Sequence, residues 1–111
     1  MSEVTLLEKQ LADTKTLVDR RTIAQRLAAN ADFRKLILEE FCVNECARYA
    51  QASADPALNQ NERADALAIA QAAGHLRRFL SVVVQMGNSA ENTISDIEAA
   101  LEEARAEEDA Q

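Results

Sequence analysis

The sequence predicts an all-α protein: a helical hairpin with long N- and C-terminal helices and coiled-coil-like packing. Three observations predict it. Apolar residues make up 48% of the 111 residues, but 22 of them are alanines, and alanine has the highest helix propensity while burying little area. Larger apolar residues recur at steps of three and four along most of the chain. With two Gly, one Pro and few β-branched runs, strands have little support. The length fits a single small domain.

The first helix is predicted over residues 3–29. Ser2 can cap it, and Val4, Leu7, Leu11, Thr14 and Val18 follow an a/d rhythm with a polar Thr in one layer. Ile23 and Leu27 leave that stripe, so the helix either turns to a different partner or bends after Arg20 and Arg21.

The second helix, over 31–53, holds most of the bulk the chain can bury. Asn30 is a good N-cap, Asp32 puts a negative charge in the first turn, and no Gly or Pro interrupts NADFRKLILEEFCVNECARYAQ. Phe33, Ile37 and Phe41 recur every four residues, while Leu36, Leu38, Cys42, Val43, Cys46 and Tyr49 widen the apolar surface. A helix apolar on more than one side needs more than one neighbour.

SADPALNQN is the clearest loop, because Asp55 precedes Pro56 and is pushed out of the α region. Asn59 stands three before Glu62, a capping-box arrangement. The third helix, 60–86, has Ile69, Ala72, Leu76, Phe79, Val83 and Met86 in a three-four rhythm, and its small Ala70, Ala73 and Gly74 would allow close approach near Ala47 and Ala50. Helices 31–53 and 60–86 therefore form an antiparallel hairpin. Its predicted core is Phe33, Leu36, Ile37, Phe41, Leu76, Phe79, Leu80 and Val83. Gly87, Asn88 and Ser89 read as a stop and a new cap, giving an acidic helix over 89–108 with Ile94, Ile97 and Leu101 on one face. The competing reading carries the rhythm from Met86 through Ala90, Thr93, Ile97, Ala100 and Ala104, as one helix from Gln60 to about Glu107.

Charge is unevenly placed. Residues 1–53 balance eight acids with eight Lys/Arg and 54–88 balance three with three, whereas 89–111 carry eight acids and Arg105. That end disfavours nucleic acid or an anionic membrane and suits a basic protein surface or simple solvation. No contiguous apolar run approaches the ~20 residues of a bilayer crossing, and MSEVTLLEKQ has no basic start or apolar h-region. These features predict no membrane partner and a cytosolic chain with Cys42 and Cys46 as reduced, packed thiols.

No catalytic residues, metal site or cofactor are predicted. One histidine and two cysteines fall short of four structural zinc ligands. Ala72 stands where a Glu-x-x-His di-iron motif needs glutamate before His75. Two distant glycines make no phosphate-binding loop. Nucleic-acid binding would need a basic excess and stacking aromatics. The cluster able to take an anion is His75 with Arg78, three apart on one face, completed by Arg48 from the neighbouring helix or by Arg20 and Arg21 from a second subunit; surface ion pairing with the acidic tail or with Glu39, Glu40 and Glu45 explains the same residues. The stripes Val4, Leu7, Leu11 and Ile94, Ile97, Leu101 exceed what an alanine-rich core can cover. They mark partner-binding faces and a homo-oligomer, unless they pair within one chain.

The pattern Asn30-x-Asp32-Phe33-x-Lys35-x-Ile37-Leu38-Glu39-x-Phe41, followed by Glu45, Arg48, Asp55-Pro56 and Gly74-x-Leu76-x-x-Phe79, resembles short all-helical proteins of tailed bacteriophages encoded among head and virion genes. The likeness covers residues 28–86, and Cys42, Cys46, Arg77 and Arg78 depart from it. The resemblance implies a non-enzymatic virion or head-assembly protein in the host cytoplasm or the virion, with virion or host proteins as partners. A small phage binding module that captures a host regulator or an anionic metabolite is the alternative.

Overall fold

Ser2 starts the first helix as its sequence suggests: the Thr5 N–H donates to Ser2 Oγ at 3.1 Å, satisfying one of the amides a helix start leaves free. In the computed structural model, which describes residues 2–111, α1 then runs unbroken over Glu3–Ala29. Asn30 both ends α1 and caps the next helix. Its N–H donates to Leu27 O at 3.0 Å, its backbone is extended at φ −76° and ψ 123°, and its Oδ1 accepts from the Phe33 N–H at 2.9 Å.

One α turn, α2 (Ala31–Phe33), leads into a π-helical stretch over Arg34–Glu45, and the path returns to α geometry in α3 (Cys46–Ala52). The Cys46 N–H reaches back to Phe41 O, the five-residue spacing of a π turn. Wider winding brings residues four and five apart to one side, so Phe33, Ile37, Leu38 and Phe41 are half-buried alongside buried Cys42. The predicted hairpin strut is therefore present with altered winding, which the apolar spacing did not reveal.

At the loop, Asp55 Oδ1 accepts from the Ala57 N–H across Pro56 at 2.9 Å. The capping box forms in both directions: Glu62 N–H to Asn59 Oδ1 at 2.8 Å and Asn59 N–H to Glu62 Oε1 at 3.2 Å. From there α4 runs over Gln60–Ala110 without interruption, so the separate helices 60–86 and 89–108 merge. Gly87 does not stop the helix because it serves packing. It is buried, and a Cβ there would lie 2.3 Å from Arg21 Cβ.

The chain is all-α, with no strand among the described residues, and divides into two compact units. One joins Met1–Ala24 to Val82–Gln111; the other is Gln25–Ser81. In the first, α1 and α4 pack antiparallel. The seam on α4 is Val83, Gly87, Ala90, Ile94, Ile97, Leu101 and Ala104, buried throughout except half-buried Ile94, in the alternating four-three rhythm of a coiled coil. On α1 the rhythm from Val4 reaches Arg21 and then shifts by one to buried Ala24, while Ile23 and Leu27 leave the stripe and stay exposed.

In the second unit, the Cys46 and Cys42 thiols point at the carbonyls of Ala70 (3.5 Å) and Ala73 (4.0 Å), which defines an antiparallel hairpin. Its buried residues, Cys42, Ala66 and Ala73, are all small, and the helices approach closely along them. Ala47 and Ala50 are exposed instead, and Gly74 faces open space. The predicted core is corrected accordingly. Val83 is buried, whereas Leu36 is 61% and Phe79 55% exposed, and Phe33, Ile37, Phe41, Leu76 and Leu80 are half-buried. Alanines and thiols take the contact, so the larger side chains are displaced to its flanks.

Candidate helix-docking surface

The stripes Val4, Leu7, Leu11 and Ile94, Ile97, Leu101 are the first candidates, and the structure turns them inward. Ile97 is 8% and Leu101 3% exposed, while Val4, Leu7, Leu11 and Ile94 are half-buried. Their burial favours the pairing inside one chain that the sequence left as the alternative, while Val4, Leu7, Leu11 and Ile94 keep part of their surface open. Two ion pairs hold the register, Arg105 Nη2 to Glu8 Oε1 at 3.2 Å and Arg21 Nη1 to Glu91 Oε2 at 2.6 Å. Leu11 and Leu101 also floor an open groove of about 840 Å³, rimmed by Glu8, Lys15, Glu98 and Arg105. Its mixed charges are spread along two helices rather than converging on one point.

The sequence offers Arg21 only as an anion ligand supplied by a second subunit; the structure sets it in the α1–α4 seam. The aliphatic part of its side chain, Cβ to Cδ, sits over Gly87, and its guanidinium donates to Asn88 Oδ1 at 2.8 Å. The Arg21 side chain is 14% exposed, and its Nε is buried without a hydrogen-bond partner. The hydrogen bond from Arg21, and then its charge, hold the Glu91 carboxyl below its ordinary value. A signal existed: the steps from Val4 to Val18 lead to residue 21, three further on.

The anion cluster does not assemble as proposed. His75 and Arg78 are exposed on one face of α4, but Arg48 is engaged elsewhere. It donates to Glu45 Oε2 at 2.6 Å and stacks on the Tyr49 ring at 4.3 Å. Glu45 first, then Tyr49, push its guanidinium above the ordinary value. The Cys42–Ala73 and Cys46–Ala70 pairing also puts Arg48 roughly ten residues, or ~15 Å, along the hairpin from Arg78. Glu39 and Glu40 form no ion pair with His75, Arg77 or Arg78.

Cys42 and Cys46 are free thiols. Among the described residues no three His, Cys, Asp or Glu side chains converge as metal ligands.

Large apolar side chains remain open on the second unit. Leu36 (61%), Phe79 (55%), Val43 (49%), Leu67 (46%) and Ile69 (37%) are exposed, well beyond the scattered single residues normal for a surface. α4 also contains an 18-residue stretch of mean hydropathy 1.2, of which 11% is buried. Counting contiguous apolar runs missed it because alanines raise the average without forming a block. No family model matches the chain, and no curated protein or solved structure matches it either.

Proposed function

We propose that this chain is a non-enzymatic structural or assembly protein that works through helix-to-helix contacts, one of the head or virion proteins of a tailed bacteriophage. The observation that carries the helix-docking part is the exposure of Leu36, Val43, Leu67 and Phe79 on a two-helix hairpin. A hairpin of two helices buries one face of each, and apolar side chains left outside reward a further helix. The phage assignment rests on the resemblance along residues 28–86. The acidic residues of the last two dozen positions, outward from the seam at Glu98, Glu102, Glu103, Glu107 and Glu108, suit a basic protein surface and keep the particle soluble.

Quantitative mass spectrometry of purified virions and of head precursors tests this. A fixed copy number in either is the expected result. Absence from both removes the virion and assembly reading.

A further inference from the structure

We infer that the occupant of the exposed apolar face on the hairpin Gln25–Ser81 is the same face of a second copy, so that two hairpins close into a four-helix bundle. The inference deepens the helix-docking function just proposed, and rests on it, by naming the partner and the surface. On α4, Ile69, Leu76 and Phe79 lie on one flank of the buried Ala66–Ala73 seam, following the helical period. The Cys42–Ala73 pairing, extended along the antiparallel hairpin, brings Leu36 to about the level of Phe79. The wider π winding turns Leu36 to the same side, next to half-buried Phe41. Two such hairpins present what a four-helix bundle buries: apolar faces of antiparallel helices joined by a short loop.

Charge says which unit can meet its own copy. The unit Gln25–Ser81 holds seven acids and seven Lys/Arg, a net charge of zero. The unit Met1–Ala24 with Val82–Gln111 holds twelve acids and five Lys/Arg, the whole of the −7. Self-docking through the neutral unit brings no like-charge excess together. A bilayer fits less well, since Arg77 and Arg78 divide the apolar part of α4 and each would cost ~3 kcal/mol at mid-membrane.

Sedimentation velocity on the full chain under reducing conditions, from about 1 to 100 µM, reads the association. The expected mass at the upper end is twice 12.2 kDa. Leu36→Glu and Phe79→Glu should each weaken dimerisation by about thirtyfold or more. Because both side chains are exposed, helical content by circular dichroism should hold; Phe79→Gln repeats the test without adding charge. Leu6→Glu and Ile23→Glu, on the other unit, should leave the dimer unchanged.

A chain monomeric throughout the range overturns the inference, as does a dimer lost only with the Leu6 and Ile23 variants. So does a monomer that floats with phosphatidylcholine vesicles and loses them on Phe79→Glu, which would make the lipid surface the occupant. A monomer present at fixed copy number in virions defeats the self-docking alone; a dimer absent from virions and head precursors defeats the virion reading alone.

Discussion

Gly87 and Gly74 lie on one helix and serve opposite ends. At Gly87 an added Cβ would meet Arg21 Cβ at 2.3 Å, so Gly87→Ala must push α1 away from α4. We expect a loss of about 1–3 kcal/mol in urea titration; an unchanged midpoint would show that the seam opens freely. At Gly74 nothing lies within 4 Å, and Gly74→Ala should stabilise by about 0.5–1 kcal/mol through helix propensity. A loss there would mean that the position is covered. Glu91 gives a pH signature. Its folded carboxyl is held below the ordinary value by Arg21, so its stabilisation is present above the unfolded value and lost as pH falls through the lower folded one. The Tm gap between wild type and Glu91→Gln should therefore shrink from neutral pH to below the carboxylate range. A gap that stays constant would refute the pairing.

At the scale of the element, size and burial part company. Leu101 is 3% exposed in the α1–α4 seam, whereas the larger Phe41 is half-buried in the π stretch. Leu101→Ala should cost about 2–5 kcal/mol, and more than Phe41→Ala, in denaturant midpoints; the reverse order would place the main core in the hairpin. Helix starts were legible because their chemistry is local: Asn30 and the Asn59/Glu62 box bond to amides within three residues. At Gly87 the sequence left a stop and an unbroken helix both open, and the structure takes the unbroken one; the local pattern could not choose, since a glycine's role depends on what approaches it from another helix.

For the whole molecule, the two units differ in electrostatics more than in fold. The net −7 confined to one of them costs it self-repulsion that the two ion pairs Arg21–Glu91 and Arg105–Glu8 only partly offset, because exposed pairs contribute little. Raising NaCl to roughly 0.5 M, where the Debye length is a few ångströms, should raise Tm. A fall in Tm with salt would mean that the ion pairs outweigh the repulsion.

Composition and period determined that the chain is helical, where the caps at Ser2, Asn30 and Asn59 and the loop lie, and that the hairpin is antiparallel, because these depend on interactions within a few residues or on a face that repeats along one helix. Tertiary structure decided which of two apolar faces is buried. Ala66 and Ala73 take the contact in place of Phe79 and Leu36 because small side chains let helix axes approach. It also decided that Leu11 and Leu101 of the terminal stripes line one groove, and that Arg21 belongs in the seam opposite Gly87. Each of these depends on a neighbour 24 or more residues away, and a local pattern carries no record of that distance.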